Sequence, residues 1–332
     1  MDVWECVLGF ADAQTVLTAH DRGVFDALAD GPATGAAIAM RVQLPVSSCE
    51  RLLRFLVALK LAERLPDGRY ANSAEAQARL VSRSDTYIGR FLPYVQNVLY
   101  PAWARLDAAL ENQSPQCFGA DGTNQHDTLF EDSERLRDFL AGMHAITYHS
   151  ASIVALASPE LRALEMVVDV GGASGAFLIA LTERCPALRG LVFDLPPVVA
   201  VAQEYIATAG MADRIATHAG NFWEDPLPAG ADGYALGFIL HDWDDEGGDR
   251  ILDKVAMAAD RGATLVVGEH LLAEDGTAPL FAVRQDVNML VSARGRERSE
   301  AEYRDWIGRH GFALKRTYSA SYGKHYMLAE RR

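Results

Sequence analysis

Cysteine is scarce in this sequence. Its four residues, Cys6, Cys49, Cys117 and Cys185, are widely scattered, form no Cys-x-x-Cys pair and have no histidine at metal-ligand spacing. That argues for reduced thiols and against a zinc site. Positive charge is also in short supply, with 31 Lys and Arg against 45 Asp and Glu and a net charge of −14. Nucleic-acid affinity comes mostly from Lys and Arg neutralising phosphates, so a DNA partner is disfavoured. Long apolar runs are missing as well: no stretch approaches the roughly 20 residues that span a bilayer. Met1 to Phe10 lacks the basic start and long apolar core of a signal peptide. The expectation is a cytoplasmic protein with no membrane partner.

What is present is a globular composition. Hydrophobic residues make up 49% and charged residues 23% of the 332 residues, enough for a large core, and the length favours a main domain with a smaller companion. Over the first hundred residues, apolar side chains recur at three- and four-residue steps (Trp4, Val7, Leu8, Ala11; Val16, Leu17; Val24, Phe25, Leu28), the period of helices. Asp30-Gly31-Pro32 stops this run. Thr34 to Met40 gives a short helix, and Pro45-Val46-Ser47-Ser48 opens a longer one through Leu61 with serine caps. Pro66-Asp67-Gly68 then fits the turn of a small hairpin. Helix, turn, helix and hairpin follow in the order of a winged helix. Its second helix carries Arg51, Arg54 and Lys60, but also Leu52, Leu53, Phe55, Leu56, Val57 and Leu59, more apolar than a groove-reading face requires. A dimerisation module over residues 1–100 is favoured over a DNA-binding regulator.

Residues 101–160 read as a helical connector with a polar loop from Glu111 to Asp127. The pattern then changes. Met166 to Val170 is a buried strand running into Gly171-Gly172-Ala173-Ser174-Gly175, Phe177 to Glu183 is helical, and Leu188 to Asp194 is a second strand. Further strands fit Gly233 to Gly237, Ala263 to Glu269, Ala313 to Ser319 and Tyr326 to Ala329. Alternating strands and helices predict a Rossmann-like, doubly wound α/β domain over 161–332.

Such sheets bind ligands beyond the carboxyl ends of their strands, where the glycine-rich turn sits. The turn fails the dinucleotide fingerprint, because the second and third glycine positions hold Ala173 and Ala176, and it has no phosphate-loop lysine. Asp194, ending the second strand, is placed to accept both ribose hydroxyls of an adenosine. A nucleoside without a pyrophosphate fits; a mere tight strand-to-helix junction is the alternative.

Val168-Asp169-Val170-Gly171-Gly172-Ala173-Ser174-Gly175, Phe193-Asp194-Leu195-Pro196, Gly220-Asn221-Phe222-Trp223 and Leu240-His241-Asp242-Trp243-Asp244-Asp245-Glu246, in this order, resemble the motifs of class I methyltransferases. More narrowly they resemble the plant caffeate/hydroxyindole O-methyltransferase family and its actinobacterial natural-product members, along nearly the whole chain. The resemblance implies S-adenosylmethionine as cofactor, S-adenosylhomocysteine as product, no metal, and a homodimer formed through the N-terminal domain. It places Gly171 under the methionine part and Asp194 at the ribose, with Leu195 and Gly220 among the cofactor-binding residues. Asn221 and Phe222 lie at the adenine, and Thr147 reaches toward the methionine carboxylate. Three positions depart from the family: its third glycine is Ala173, its usual Asp before the adenine-stacking residue is Asn221, and a Lys often found four residues before the catalytic His is Gly237.

Methyl transfer to a phenol needs alignment and a base, since a phenol's pKa is about 10. His241, just past a strand end, is the candidate base; otherwise it belongs to an acid-rich helix start. Glu269 and Glu297 match the family's paired glutamates, which would raise the imidazole's basicity and fix its tautomer; otherwise they are a strand-end surface acid and one charge in a solvated run. The alignment points to Phe139, Met143, Asn288 and Met289 for a flat aromatic acceptor, with core packing an equal alternative for Phe139 and Met143. O-methylation of a small phenolic molecule is the expected activity. The alternatives are C-methylation of an activated ring, a cofactor-binding homologue turned to other chemistry, and a winged-helix regulator.

Overall fold

The computed structural model describes residues 2–117 and 129–332. The chain forms two compact units, Met1–Gln96 and Asn97–Arg332. In the first, helices Val3–Asp21, Gly35–Arg41 and Val46–Ala58 pack with the hairpin of β1 (Ala62–Arg64) and β2 (Tyr70–Asn72). The order is that of a winged helix. Leu53, Leu56 and Cys49 of the third of these helices join Phe25, Leu28, Ile38 and Tyr70 in the core. Much of its apolar side is therefore spent inside the unit, although Val46 and Phe55 stay exposed, and the first helix exposes Val3, Trp4, Val7, Leu8 and Phe10. The expected serine cap is also absent, since Pro45 stands at the N-cap and no side chain caps the helix.

In the second unit, β3 (Met166–Val170), β4 (Arg189–Asp194), β5 (Ile215–Ala219), β6 (Gly233–Gly237), β7 (Thr264–Leu272), β8 (Arg298–Ser299), β9 (Phe312–Ser319) and β10 (Lys324–Arg331) build one sheet. Its order is β5-β4-β3-β6-β7-β10-β9, with β8 on β7. The strands from β5 to β7 run parallel, and β10 is antiparallel to both β7 and β9. β3 is buried along most of its length, as a parallel strand covered on both faces must be. Strand β5 escapes the sequence reading because it is an edge strand whose residues are mostly exposed, so no apolar run marks it. Two apolar clusters fill the faces of the sheet, one around Val170, Leu236, Leu265 and Trp306, the other around Val167, Phe177, Leu178 and Val266.

Helix Ser133–Ala157 is, by length and composition alone, long and apolar enough to cross a membrane, which the scan for unbroken apolar runs did not register. Its polar residues, among them Glu134, Arg137, His144 and Ser150, break the run. Within the unit its Leu136, Leu140, Ala151, Val154 and Ala155 are buried. Helix Leu106–Asn112 covers the first residues of the expected polar loop; most of that loop lies outside the described residues.

Candidate active site

The parallel strands end on one side of the sheet, and a cavity of about 410 Å³ opens there. Its floor is the turn after β3. Gly171 adopts φ +69, and a β-carbon on it would run into Ile239 Cδ1. Ala173 also has a left-handed φ, +51, a conformation an L side chain resists. The third glycine of the family is thus replaced at a position whose backbone still has the glycine shape.

Asp194 ends β4 beside this turn, where its Oδ2 accepts the Ala173 N–H (2.9 Å) and its Oδ1 the Leu195 N–H (2.7 Å). Burial pushes its carboxyl up to about 6, against the pull of those two N–H groups. It is an anion at neutral pH, with lone pairs to spare for ligand hydroxyls. Asn221 follows β5. Its Oδ1 accepts the Trp223 N–H at 3.0 Å and its own N–H donates to Asp225 (2.8 Å), which leaves the amide NH₂ to face a ligand. Phe222 sits edge-to-face on Trp223 and Trp243 and presents a fixed aromatic surface to the cavity.

Helix Ser133–Ala157 forms the opposite wall through Phe139, Met143 and Thr147. It is tied to the glycine turn where His144 Nδ1 meets Ser174 Oγ at 2.8 Å. Of the predicted residues, Gly171, Asp194, Leu195, Gly220, Asn221, Phe222, Thr147, Phe139 and Met143 all line this cavity. Asn288, Met289, His241, Glu269 and Glu297 do not. The Asn288 Oδ1 accepts from Trp103 Nε1 (3.0 Å), its Nδ2 reaches toward Ser292 Oγ (3.4 Å), and Met289 is packed inside. Asp286, on another face of the same helix, accepts the Glu297 N–H at 3.0 Å.

His241, on the short helical turn Leu240–Asp242 beyond β6, lies just behind the cavity wall formed by Phe238, Ile239, Asp242 and Trp243. Its ring stacks on Phe238 with centroids 5.3 Å apart. Nδ1 is 2.9 Å from Glu297 Oε1 and 3.5 Å from Glu269 Oε2, and Nε2 is 3.5 Å from Asp242 Oδ1. Neither glutamate is a surface charge: both are fully buried. Nor does Glu269 end its strand, because β7 runs on to Leu272. Its Oε1 accepts the N–H groups of Ile239 (3.1 Å) and Leu240 (3.0 Å), so it holds the backbone of the histidine's turn as well as facing the ring.

Burial opposes an imidazolium, yet Glu269, Glu297 and Asp242 outweigh it and push His241 up to about 10. Burial likewise raises Glu269 to about 7, His241 pulling it down and Glu297 pushing it further up. The carboxylates thus favour the protonated imidazole, and the imidazolium in turn favours the ionised form of Glu269. The segment bearing Glu297 reaches this turn because residue 295 is glycine: a β-carbon there would collide with the His241 carbonyl and stand 2.5 Å from the Trp243 nitrogen. Among the further polar residues that line the cavity are Asp169 within β3 and Lys324 at the start of β10, neither of which the sequence reading singled out. A lone lysine opening the otherwise apolar run Tyr326-Met327-Leu328-Ala329 was the only mark of the second.

Residues 103–313 match the O-methyltransferase domain family, and residues 4–82 match the O-methyltransferase dimerisation domain. The chain is 37% identical to the 3-hydroxy-5-methyl-1-naphthoate 3-O-methyltransferase of Streptomyces sahachiroi over 309 residues, 93% of this chain and 88% of that protein. It is similar in structure to human N-acetylserotonin methyltransferase in complex with S-adenosylmethionine, with a TM-score of 0.90 and 27% identity over 98% of this chain and 96% of that one. A second solved structure is an O-methyltransferase from neocarzinostatin biosynthesis, in complex with S-adenosylmethionine and 2-hydroxy-5-methyl naphthoic acid. Its TM-score is 0.77, at 29% identity over 97% and 96% of the two chains. The two matched domains and these relatives agree, and the protein belongs to the family of S-adenosylmethionine-dependent O-methyltransferases.

Proposed function

We propose that the chain methylates a hydroxyl of a small aromatic acceptor, with His241 as the general base. The observation that carries this reading is the buried His241–Glu297 hydrogen bond of 2.9 Å set directly behind the cavity that Asp194 lines. Bound S-adenosylmethionine supplies a methyl group already activated on a sulfonium, so the protein has to hold, align and deprotonate. The cavity suits that molecule: Asp194 offers a carboxylate to the ribose, Leu195 and Gly220 flank it, Asn221 and Phe222 face the adenine, and Gly171 and Thr147 bound the amino-acid end. Phe139 and Met143 provide apolar contact for a flat ring. Asn288 and Met289 support the helix beside the acceptor rather than touching it.

Glu297 fixes the tautomer by binding Nδ1, which leaves Nε2 for the acceptor. Glu269, Glu297 and Asp242 hold the imidazole well above its ordinary basicity, toward that of a phenolate, whose conjugate acid has a pKa of about 10. The reactive pair is the same whichever partner arrives deprotonated. A homodimer through the first unit is supported by the exposed Val3, Trp4, Val7 and Leu8; light scattering should give twice the chain mass and Trp4→Asp should lower it. The net charge of −14 supports a reading without nucleic acid. The deciding experiment is incubation with S-adenosylmethionine and a panel of phenols, with the product solved by NMR. A new methoxy group is expected. A ring methyl would move the activity to carbon, and S-adenosylhomocysteine failing to bind would overturn the reading.

A further inference from the structure

Lys324 is completely buried, yet its Nζ has no hydrogen-bond partner among the described residues. The ammonium lies 3.6 Å above the centre of the Phe238 ring, and the side chain lines the cavity, where it is the one Lys or Arg among the described lining residues. A buried cation with no acceptor is costly. Its path is also specific. From β10 the side chain crosses β7 at Gly268, where a β-carbon would stand 2.9 Å from Cε, and arrives at β6 with Nζ 3.4 Å from the point where a Gly237 β-carbon would be. Two strands carry glycine where the lysine passes.

The neighbouring strand ends give the place meaning. Asn221 and Phe222 follow β5, Asp194 ends β4, the Gly171 turn follows β3, and Lys324 arrives at β6, which is the order of these strands in the sheet. Neighbouring strands are about 4.8 Å apart, so Lys324 stands about 10 Å beyond Asp194. A ligand with its ribose on Asp194 lays the tail on its 5′ carbon in this direction. Asp169, buried and lining the same end, places a carboxyl near the ammonium, and a carboxyl beside an ammonium complements the two charges of an α-amino acid. Burial lowers Lys324 to about 8, with Glu269 and Asp169 pulling it back up, so it is charged at neutral pH.

We propose that Lys324 is the cofactor-binding cation of this enzyme, reaching across β7 to receive the methionine carboxylate of S-adenosylmethionine from the β6 side. The assignment rests on the methyltransferase reading above. Its test compares calorimetric binding of S-adenosylhomocysteine with that of the same molecule lacking its carboxylate. The parent should prefer the carboxylate form by about tenfold or more, as expected for one charge-assisted hydrogen bond. Lys324→Met should weaken S-adenosylhomocysteine by a similar factor and bind both ligands alike. Should that variant lose its thermal transition, Lys324→Gln takes its place. A variant that still discriminates as the parent does, or a parent that does not discriminate, overturns the assignment. So does a variant that keeps S-adenosylhomocysteine affinity but raises KM for an aromatic acid, since the lysine would then serve the acceptor's carboxylate. A parent that binds neither ligand overturns the methyltransferase reading instead.

Discussion

The two halves of the strand-end site are built in opposite ways. On the β4–β5 side, Gly171, Ala173, Asp194, Leu195 and Asn221 come from short stretches around strand ends and are fixed by backbone N–H groups: Asp194 by two of them, Asn221 by its own turn. On the β6–β10 side, His241, Glu269, Glu297 and Lys324 come from four separate segments; two backbone N–H groups hold Glu269 as well, but here the side chains also act on one another through their charges. The first half is a binding surface that backbone geometry keeps in shape. The second is a buried cluster of titratable groups whose charges act on one another.

Removing members one at a time should separate the halves. The largest effect is expected from His241→Ala, which should lower kcat about 10²- to 10⁴-fold while leaving S-adenosylhomocysteine affinity nearly unchanged; an equal loss in both would merge the two halves. Asp194→Ala should do the reverse, weakening S-adenosylhomocysteine by about a hundredfold, the worth of two charge-assisted hydrogen bonds. Calorimetry on both variants decides. Glu297→Gln and Glu269→Gln should each cost less than the histidine, and adding either to His241→Ala should change little further. Their signature is in the pH profile. For the parent, kcat/KM should climb with pH from neutrality toward about 10, as the imidazolium gives up its proton. Because each carboxylate raises the histidine, its removal lowers that pKa and should move the climb to lower pH; a profile that stays in place would detach the glutamate from the ring. The smallest effect belongs to the binding half. Ala173→Gly relieves a left-handed alanine worth about 1 kcal/mol, less the entropy glycine loses on folding, so Tm should rise by up to about 2–4 °C.

The same division explains what could be read from the sequence. A glycine turn between a strand and a helix, and an aspartate at the next strand end, are local patterns, and the fold class and strand-end cavity follow from them. Glu269 and Glu297 are recognisable only through family resemblance, because nothing near them in sequence says that they are buried against a histidine 28 and 56 residues away. Lys324 has no local signal beyond being a charge in an apolar strand. Helix Leu280–Ser292 shows the limit from another side. Successive residues of a helix point about 100° apart, and the side chain that meets the segment bearing Glu297 is that of Asp286 rather than Asn288 or Met289.

Gly295 is not among the residues lining the cavity, yet the His241 carbonyl and the Trp243 backbone fill the space where its side chain would be. In a mutational scan scored by growth or product, position 295 should fall among the most intolerant in the chain, next to His241 itself. A reader of that scan alone would enrol it as a member of the chemistry, when its contribution is emptiness, the room that lets two distant stretches of backbone meet.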